Sequence, residues 1–410
     1  MIPLEEAKER VWGRISPLSP VKLLVREALG CVLAEDIVAT EAIPPFDNTS
    51  VDGFALRSAD VENCPTELTI VGEVRAGSWP EVGVGPGEAI RIMTGAPMPP
   101  GADAVVMVED TEPGGSSDVV RILKSVATGE AIRPVGDDVA PGDLVLRSGT
   151  VLGPAYLGVL AGLGRVEVMA YRRLRVAVIS TGDELVDDGR ALAPGQIRES
   201  NGELICGLLS MANCEPVNYG IVADAEDVLG AALVKAAADC DAVITSGGVS
   251  MGDYDLVKVL LDRLGEMDWM QIAIRPAKPF AFGLLGADRA TPVFGLPGNP
   301  VSSMVSFELL ARPALLKMMG HSVIERPALR AIADKGVRRN RSDDRVNFVR
   351  VIATTESDGR VHVATSGAQG SHQLAASAAA NGLVRVDVSS EVAPGGEVDV
   401  VLIGVPPGQL

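Results

Sequence analysis

One stretch constrains the fold more than any other: from about residue 171 the chain repeats strand, loop and helix. LRVAVIS (174–180) is an unbroken apolar run without the alternation of a half-exposed strand, so both of its faces must be covered. STGDEL follows, then a helical stretch over 201–211, a strand over 216–222, a helix over 226–238 and another apolar strand, DAVITS, over 241–246. The loop GGVSMGDYD leads to a helix at 256–264, and 292–296 reads as a further strand. A long helix is expected over 301–319, with Asn299 and Pro300 at its N-cap and first position. This alternation predicts a doubly wound α/β domain over 171–322 around a mainly parallel sheet. Ligands of such sheets bind where loops leave the carboxyl ends of the strands.

The flanks are written differently. Residues 3–15 predict a helix with Leu4, Ala7, Val11 and Ile15 on one face, and residues 21–28 predict a second helix ended by Gly30. From about 65 to 150, Val/Ile-rich runs such as LTIVGEV and AVVMVED lie between Gly/Pro clusters, which predicts β structure. Residues 139–149 and 152–163 return toward helix and loop. The stretch 1–170 is therefore expected to form an N-terminal module, a helical part with a β subdomain inserted near 55–135. Beyond Gly320, RVNFVRVIAT and RVHVAT flank the turn Ser357-Asp358-Gly359, and LVRVDVSS and EVDVVLIG follow. These predict a small C-terminal β-barrel over 323–410, about 80 residues and an ordinary module size. Aromatic residues are 3% of the chain, so all three cores must rest on Val, Leu, Ile and Ala.

Composition excludes several functions. No apolar run reaches membrane-spanning length, and the opening MIPLEEAKER carries acids where a secretory signal is basic, so a cytoplasmic location is expected. Five scattered cysteines and three histidines, none at metal-ligand spacing, argue against a disulfide framework and a zinc site. A net charge of −18 repels nucleic acid, and no basic stripe interleaves with aromatics. An anionic substrate would need a local positive field from backbone N–H nests, a few Arg or Lys, or a divalent metal held by carboxylates.

Two loops of the α/β stretch could supply such a field. In STGDEL, Ser180, Thr181 and Gly182 turn the chain while Asp183 and Glu184 project from the strand's carboxyl end; Asp183 equally suits a turn cap. In SGGVSMGDYD, Gly247 and Gly248 let backbone N–H groups approach a phosphate, followed by Ser250, Asp253 and Asp255. IRPAKPFAFG adds Arg275 and Lys278, and FGLPGNPVS places Pro297, Gly298 and Pro300 at a helix start. The N-terminal stretch offers Asp52 in DNTSVDGFA, where Asp52-Gly53 reads as a tight turn. It also offers Thr94 in MTGAPMPPGADAVVMVED, and Arg133, Asp137 and Asp138 in AIRPVGDDVAPGD. Each acid taken alone also fits a solvated surface.

Taken in order, these stretches resemble the molybdopterin molybdenumtransferases, MoeA-type enzymes related to the gephyrin E domain. The likeness begins with DNTSVDGFA, and MTGAP, IRPVGDD, STGDEL, SGGVSMGDYD, RPAKPFAFG and GLPGNPVS carry it onward. GAQGSHQLAASAAANGL, with His372 and Asn381, carries it into the C-terminal stretch. The resemblance implies insertion of molybdate into adenylated molybdopterin, with cleavage of the adenylate and release of AMP. By position it assigns functional acids to Asp52, Asp138, Glu184, Asp224 and Asp255 and a hydroxyl to Thr94. Arg275 and Lys278 become the basic residues, and Pro297 and Pro300 the proline pair. Ser180, Thr181, Gly182, Gly247, Gly248, Ser250, Asp253 and Gly298 complete the expected substrate-binding set. Charge neutralisation at a phosphoanhydride suggests Mg²⁺ near Glu184 and Asp255, with Asp52 and Thr94 orienting the oxyanion. The resemblance further implies an elongated homodimer, in which one subunit's N-terminal module faces the other's α/β domain, and a molybdopterin adenylyltransferase as partner. Two positions depart from the family: Gln271 stands where some relatives have lysine, and Ala277 where glycine is common. Two alternatives stay open, the preceding adenylyltransferase step and a non-catalytic peptide-binding scaffold of the same fold.

Overall fold

The computed structural model describes residues 1–249, 256–286, 290–338, 344–388 and 390–404. The chain forms two compact units, one of residues 1–21, 30–32 and 170–410, the other of residues 22–29 and 33–169.

The larger unit is built on a six-stranded sheet. Its order is Glu215–Val222, Arg175–Thr181, Ala242–Ser246, Thr291–Leu296, Pro279–Leu285, Gly265–Gln271. The first four strands run parallel and the last two join antiparallel, so the sheet is mixed. Both faces are covered, as the apolar run of Arg175–Thr181 requires. Val176 and Val178 pack with Ile205 and Leu209 of the helix Asn201–Met211. Ala177 and Ile179 pack with Leu229 and Leu233 of Glu226–Asp239 and with Leu260 and Leu261 of Leu256–Leu264. The domain is thus doubly wound. Gly265–Gln271 escaped the sequence reading because an edge strand buries little: only Met270 on it is fully covered.

The helix expected over 301–319 starts at Pro300 behind Asn299 and runs to Met318, but it widens into a π turn at Phe307–Ala311. Pro313, which has no N–H to donate, sits just beyond that turn, where the ordinary bonding pattern could not continue. The helix Leu4–Trp12 turns Leu4, Ala7 and Val11 into the same core as Leu310 and Ala314. It therefore belongs to the larger unit, although the sequence reading groups it with residues 1–170.

The barrel closes fully. Val346–Thr355 pairs with Val361–Thr365 and Gly382–Val386, Ala328–Ala333 with Val361–Thr365 and Gly396–Leu402, and the last of these with Gly382–Val386. Valines fill it: Val349, Val351, Val363, Val384, Val398 and Val400. Asn381 is 5% exposed, and its amide serves both backbone groups of Ala353, accepting from the N–H at 2.7 Å and donating to the C=O at 2.9 Å.

The smaller unit holds another six-stranded mixed sheet: Ala104–Met107, Gly53–Leu56, Glu88–Ile92, Thr66–Val74, Val119–Ile122, Thr111–Pro113. Phe54 and Leu56 face one core and Ala55 the other. Among its described residues the one α-helix is Pro154–Gly162, less helix than expected. Residues 21–28 form the strand Val21–Leu24 and a 3₁₀ turn, Val25–Glu27, instead of a helix. Two turns of helix opened by Pro20 are too few to sustain themselves, and V-K-L-L fits a strand as well. Residues 139–149 likewise yield the short strand Leu144–Leu146.

Candidate functional site

The carboxyl ends of the parallel strands open into a cleft of about 370 Å³. Thr181 and Glu184 line it from the first loop, Ser246 and Gly247 from the second, and Gly298 and Pro300 from the third. Five residues expected from sequence thus meet in one place: Thr181, Glu184, Gly247, Gly298 and Pro300. Thr181 donates its hydroxyl to Asp224 at 2.6 Å, which adds Asp224 to the group. Ser180 donates to Glu199 at 3.0 Å, and Glu199 also receives the Gly202 N–H at 2.8 Å. Gly182 has φ +143°, and a Cβ there would lie 2.6 Å from the Glu184 carboxylate, so only glycine lets that side chain fold back over the turn. Gly248 follows Gly247, and Pro297 accepts from the Ser303 hydroxyl. Ser250, Asp253 and Asp255 lie outside the described residues.

Asn201 does work the sequence reading did not foresee. Its amide nitrogen donates to Ser246 Oγ at 2.7 Å and to the Gly298 carbonyl at 2.8 Å, tying the second loop to the third. It is 7% exposed. The signal was present in Ser200-Asn201 at a helix start, which reads as capping alone; Ser200 makes no side-chain cap bond.

Arg275 and Lys278 do not enter this cleft. They line a second one of about 380 Å³ with Arg345, Ser371, His372 and Ser302. The two clefts share a helix start, since Pro300 borders the first and Ser302 the second. The cation segment is held on both sides. Ile2 donates to Gln271 and accepts from Ala273, each at 2.8 Å, while Ile274 and Arg275 pair in parallel with Val346 and Asn347 of the barrel. Ala277 adopts φ +75°, a left-handed conformation that glycine takes without strain. The barrel's share of the cleft, residues 369–372, is organised by Arg350. That side chain is 1% exposed and reaches Ser377 Oγ at 2.6 Å and the carbonyls of Ala368 at 2.8 Å and Gly370 at 3.3 Å. Burial pushes its pKa down from the ordinary arginine value.

In the smaller unit, three stretches singled out from sequence come together. Asn48 pairs with Pro97 and with Arg133, Met98 N–H donates to the Asp47 carbonyl, and Val135 N–H to the Asp47 carboxylate at 2.7 Å. Asp52 and Thr94 are partners: the Thr94 N–H and hydroxyl both donate to one Asp52 oxygen, at 2.7 and 2.8 Å. The backbone donor, then the hydroxyl, hold the Asp52 carboxyl below its usual range. Gly53 opens a buried strand, and a Cβ there would fall 1.9 Å from the Val106 carbonyl, so the glycine serves close strand approach. Asp138 is exposed and its N–H donates to the Ile43 carbonyl at 2.9 Å. Among the described residues, no group of three or more His, Cys, Asp or Glu is placed to hold a metal, and no helix is long and apolar enough to cross a membrane.

Comparison with known proteins covers almost the whole chain. Residues 2–164 match the MoeA N-terminal region (domain I and II), residues 177–317 a probable molybdopterin binding domain, and residues 335–403 the MoeA C-terminal region (domain IV). The chain is 37% identical to a molybdopterin molybdenumtransferase of Haemophilus influenzae over 383 residues, 92% of each chain. It is 38% identical to molybdopterin molybdenumtransferase 2 of Mycobacterium tuberculosis over 415 residues, 98% of this chain and 99% of the other. The crystal structure of a molybdopterin biosynthesis MoeA protein from Pyrococcus horikoshii superposes with a TM-score of 0.78 at 32% identity, covering 98% of this chain and 100% of that one. The chain belongs to the MoeA-type molybdopterin molybdenumtransferase family.

Proposed function

We propose that this protein is a transferase that inserts molybdenum into molybdopterin, taking the pterin as its adenylate together with molybdate and releasing AMP. The observation that carries this reading is the pair of adjoining clefts in the larger unit. One is lined by strand-end loops rich in hydroxyl and amide donors, suited to a phosphorylated heterocycle. The other gathers Arg275, Lys278 and Arg345 with Ser371 and His372, suited to a tetrahedral oxyanion.

Cleavage breaks the phosphoanhydride P–O bond, with water giving its OH to one phosphate and a proton to the other; insertion forms two Mo–S bonds as molybdate gives up an oxygen, which leaves as water with the two dithiolene thiol protons. Thr181, fixed by Asp224, and the Gly247 backbone orient the phosphate-bearing ligand. Asp52, held ionised by Thr94, offers an acceptor to a proton or a water in the N-terminal module. Glu184, an exposed carboxylate at the cleft, would hold Mg²⁺ together with Asp255. The Glu184 carboxylate suits the ion, which takes one or two carboxylates and completes its shell with water and phosphate oxygens. Bound there, Mg²⁺ supplies neutralisation of phosphate charge. A homodimer that completes each site, with substrate delivered by an adenylyltransferase, and a cytoplasmic location belong to the same reading.

The test is AMP release by purified protein given adenylated molybdopterin, molybdate and Mg²⁺. The reading expects release that stops on exhaustive chelation and in Glu184→Gln with its melting temperature unchanged. No release from the wild-type protein refutes it.

A further inference from the structure

We propose that Arg198 is the phosphate-gripping cation of the strand-end cleft, engaging the phosphoanhydride of the nucleotide-bearing ligand. The inference rests on the reading above and deepens it.

Among the described residues lining that cleft, Arg198 is the one cation. It ends the short strand Ile197–Arg198, which pairs in parallel with Leu185–Val186 directly after Glu184. Ile197 N–H donates to the Glu184 carbonyl at 2.8 Å and Glu199 N–H to the Val186 carbonyl at 3.0 Å. These two bonds fix the backbone on either side of Arg198. Its guanidinium is ordered as well, because Nη2 donates to the carbonyls of Gly189, at 3.4 Å, and Arg190. Nε and Nη1 meet no acceptor among the described residues.

The acids nearby make that freedom informative. Glu184 and Glu199 line the same cleft, and Asp187 and Glu203 line a smaller one of about 180 Å³ that Arg198 also borders. An arginine among four carboxylates would ordinarily be neutralised by one of them. Here it pairs with none among the described residues, and Glu199 is occupied by Ser180 and Gly202. On a chain of net charge −18, an anchored and unpaired guanidinium at a ligand cleft is positioned to receive an anion. A diphosphate offers the planar fork several oxygens at once.

Two variants separate grip from scaffolding. Arg198→Gln keeps a shorter polar side chain but loses the charge; Arg198→Ala loses both. Calorimetric titration with inorganic pyrophosphate and with AMP reads binding directly, and KM for adenylated molybdopterin reads it in turnover. Both variants should weaken pyrophosphate binding and raise KM by about 10- to 100-fold, the loss of one charge-assisted hydrogen-bonding group. The salt dependence of binding should fall with it. Arg198→Gln binding like wild type, or a wild-type protein that does not bind pyrophosphate, overturns the proposal. Arg198-dependent pyrophosphate binding without AMP release by the wild type would sustain the grip while refuting the molybdenum-insertion reading.

Discussion

Replacing Arg350 with Met separates stability from cleft organisation. Two of its hydrogen bonds are short, to Ser377 at 2.6 Å and Ala368 at 2.8 Å, and two are long, to Gly370 at 3.3 Å and Gln369 at 3.4 Å. With about 1.5–3 kcal/mol for each short bond from a charged donor and a fraction for each long one, the gain is roughly 4–7 kcal/mol. Against it stand several kcal/mol for desolvating the guanidinium and about 2 kcal/mol for freezing the side chain. The terms nearly cancel. Methionine, similar in length and apolar, should change stability by no more than about 2 kcal/mol, a melting shift of about 4–8 °C at most. The local effect differs, because the Ala368 and Gly370 carbonyls lose their donor and turn to water. Amide exchange across residues 366–373 should accelerate, and AMP release should fall at least about tenfold through lost transition-state stabilisation. Calorimetry, exchange mass spectrometry and turnover on the same preparation decide the matter. Global destabilisation clearly beyond about 2 kcal/mol, or unchanged exchange with full turnover, would refute this account.

Three further outcomes follow from other sites. Asn381→Ala leaves both backbone groups of buried Ala353 without partners and should cost about 2–4 kcal/mol in chemical denaturation. Thr94→Val removes the hydroxyl donor to Asp52 and should move the acid limb of the activity profile to higher pH. Asp52 is depressed in the folded state, so its ionised form is lost only as pH falls through that lowered value. His362 is raised by its hydrogen bond to Asp334 at 2.6 Å and then by Asp358 at 3.2 Å. Its stabilisation is complete below the unfolded value and lost as pH rises through the folded one; Asp334→Asn should lower the melting temperature at acid pH and converge with wild type at alkaline pH.

Sequence made the α/β core legible because a strand covered on both faces cannot hide. LRVAVIS and DAVITS lie within one residue of their structural bounds, and Thr181 and Glu184 behind the first share a cleft with Ser246 and Gly247 behind the second. Legibility failed where burial is partial, at the edge strand Gly265–Gln271 and the four-residue strand Val21–Leu24. The clefts were half legible. Glycines and acids at strand ends announce themselves, but Ser371 joins Arg275 across nearly a hundred residues of chain. Nothing in RVNFVRVIAT tells that residues 366–377 fold over Arg350. Arg198 gives no signal in sequence, because a single arginine in a polar loop resembles any solvated one.

The segment carrying Arg275 and Lys278 is a turn with its supports at the base: Ile2 and the barrel strand hold residues 271–275, and the Ile272 N–H closes the turn by donating to the Lys278 carbonyl at 2.7 Å. A turn tied across its base bends little, so the spacing of its two charges changes little around whatever anion arrives. The width of the opening is set at the supports, and changes at Ile2 or Asn347 would retune it without altering any side chain that lines it.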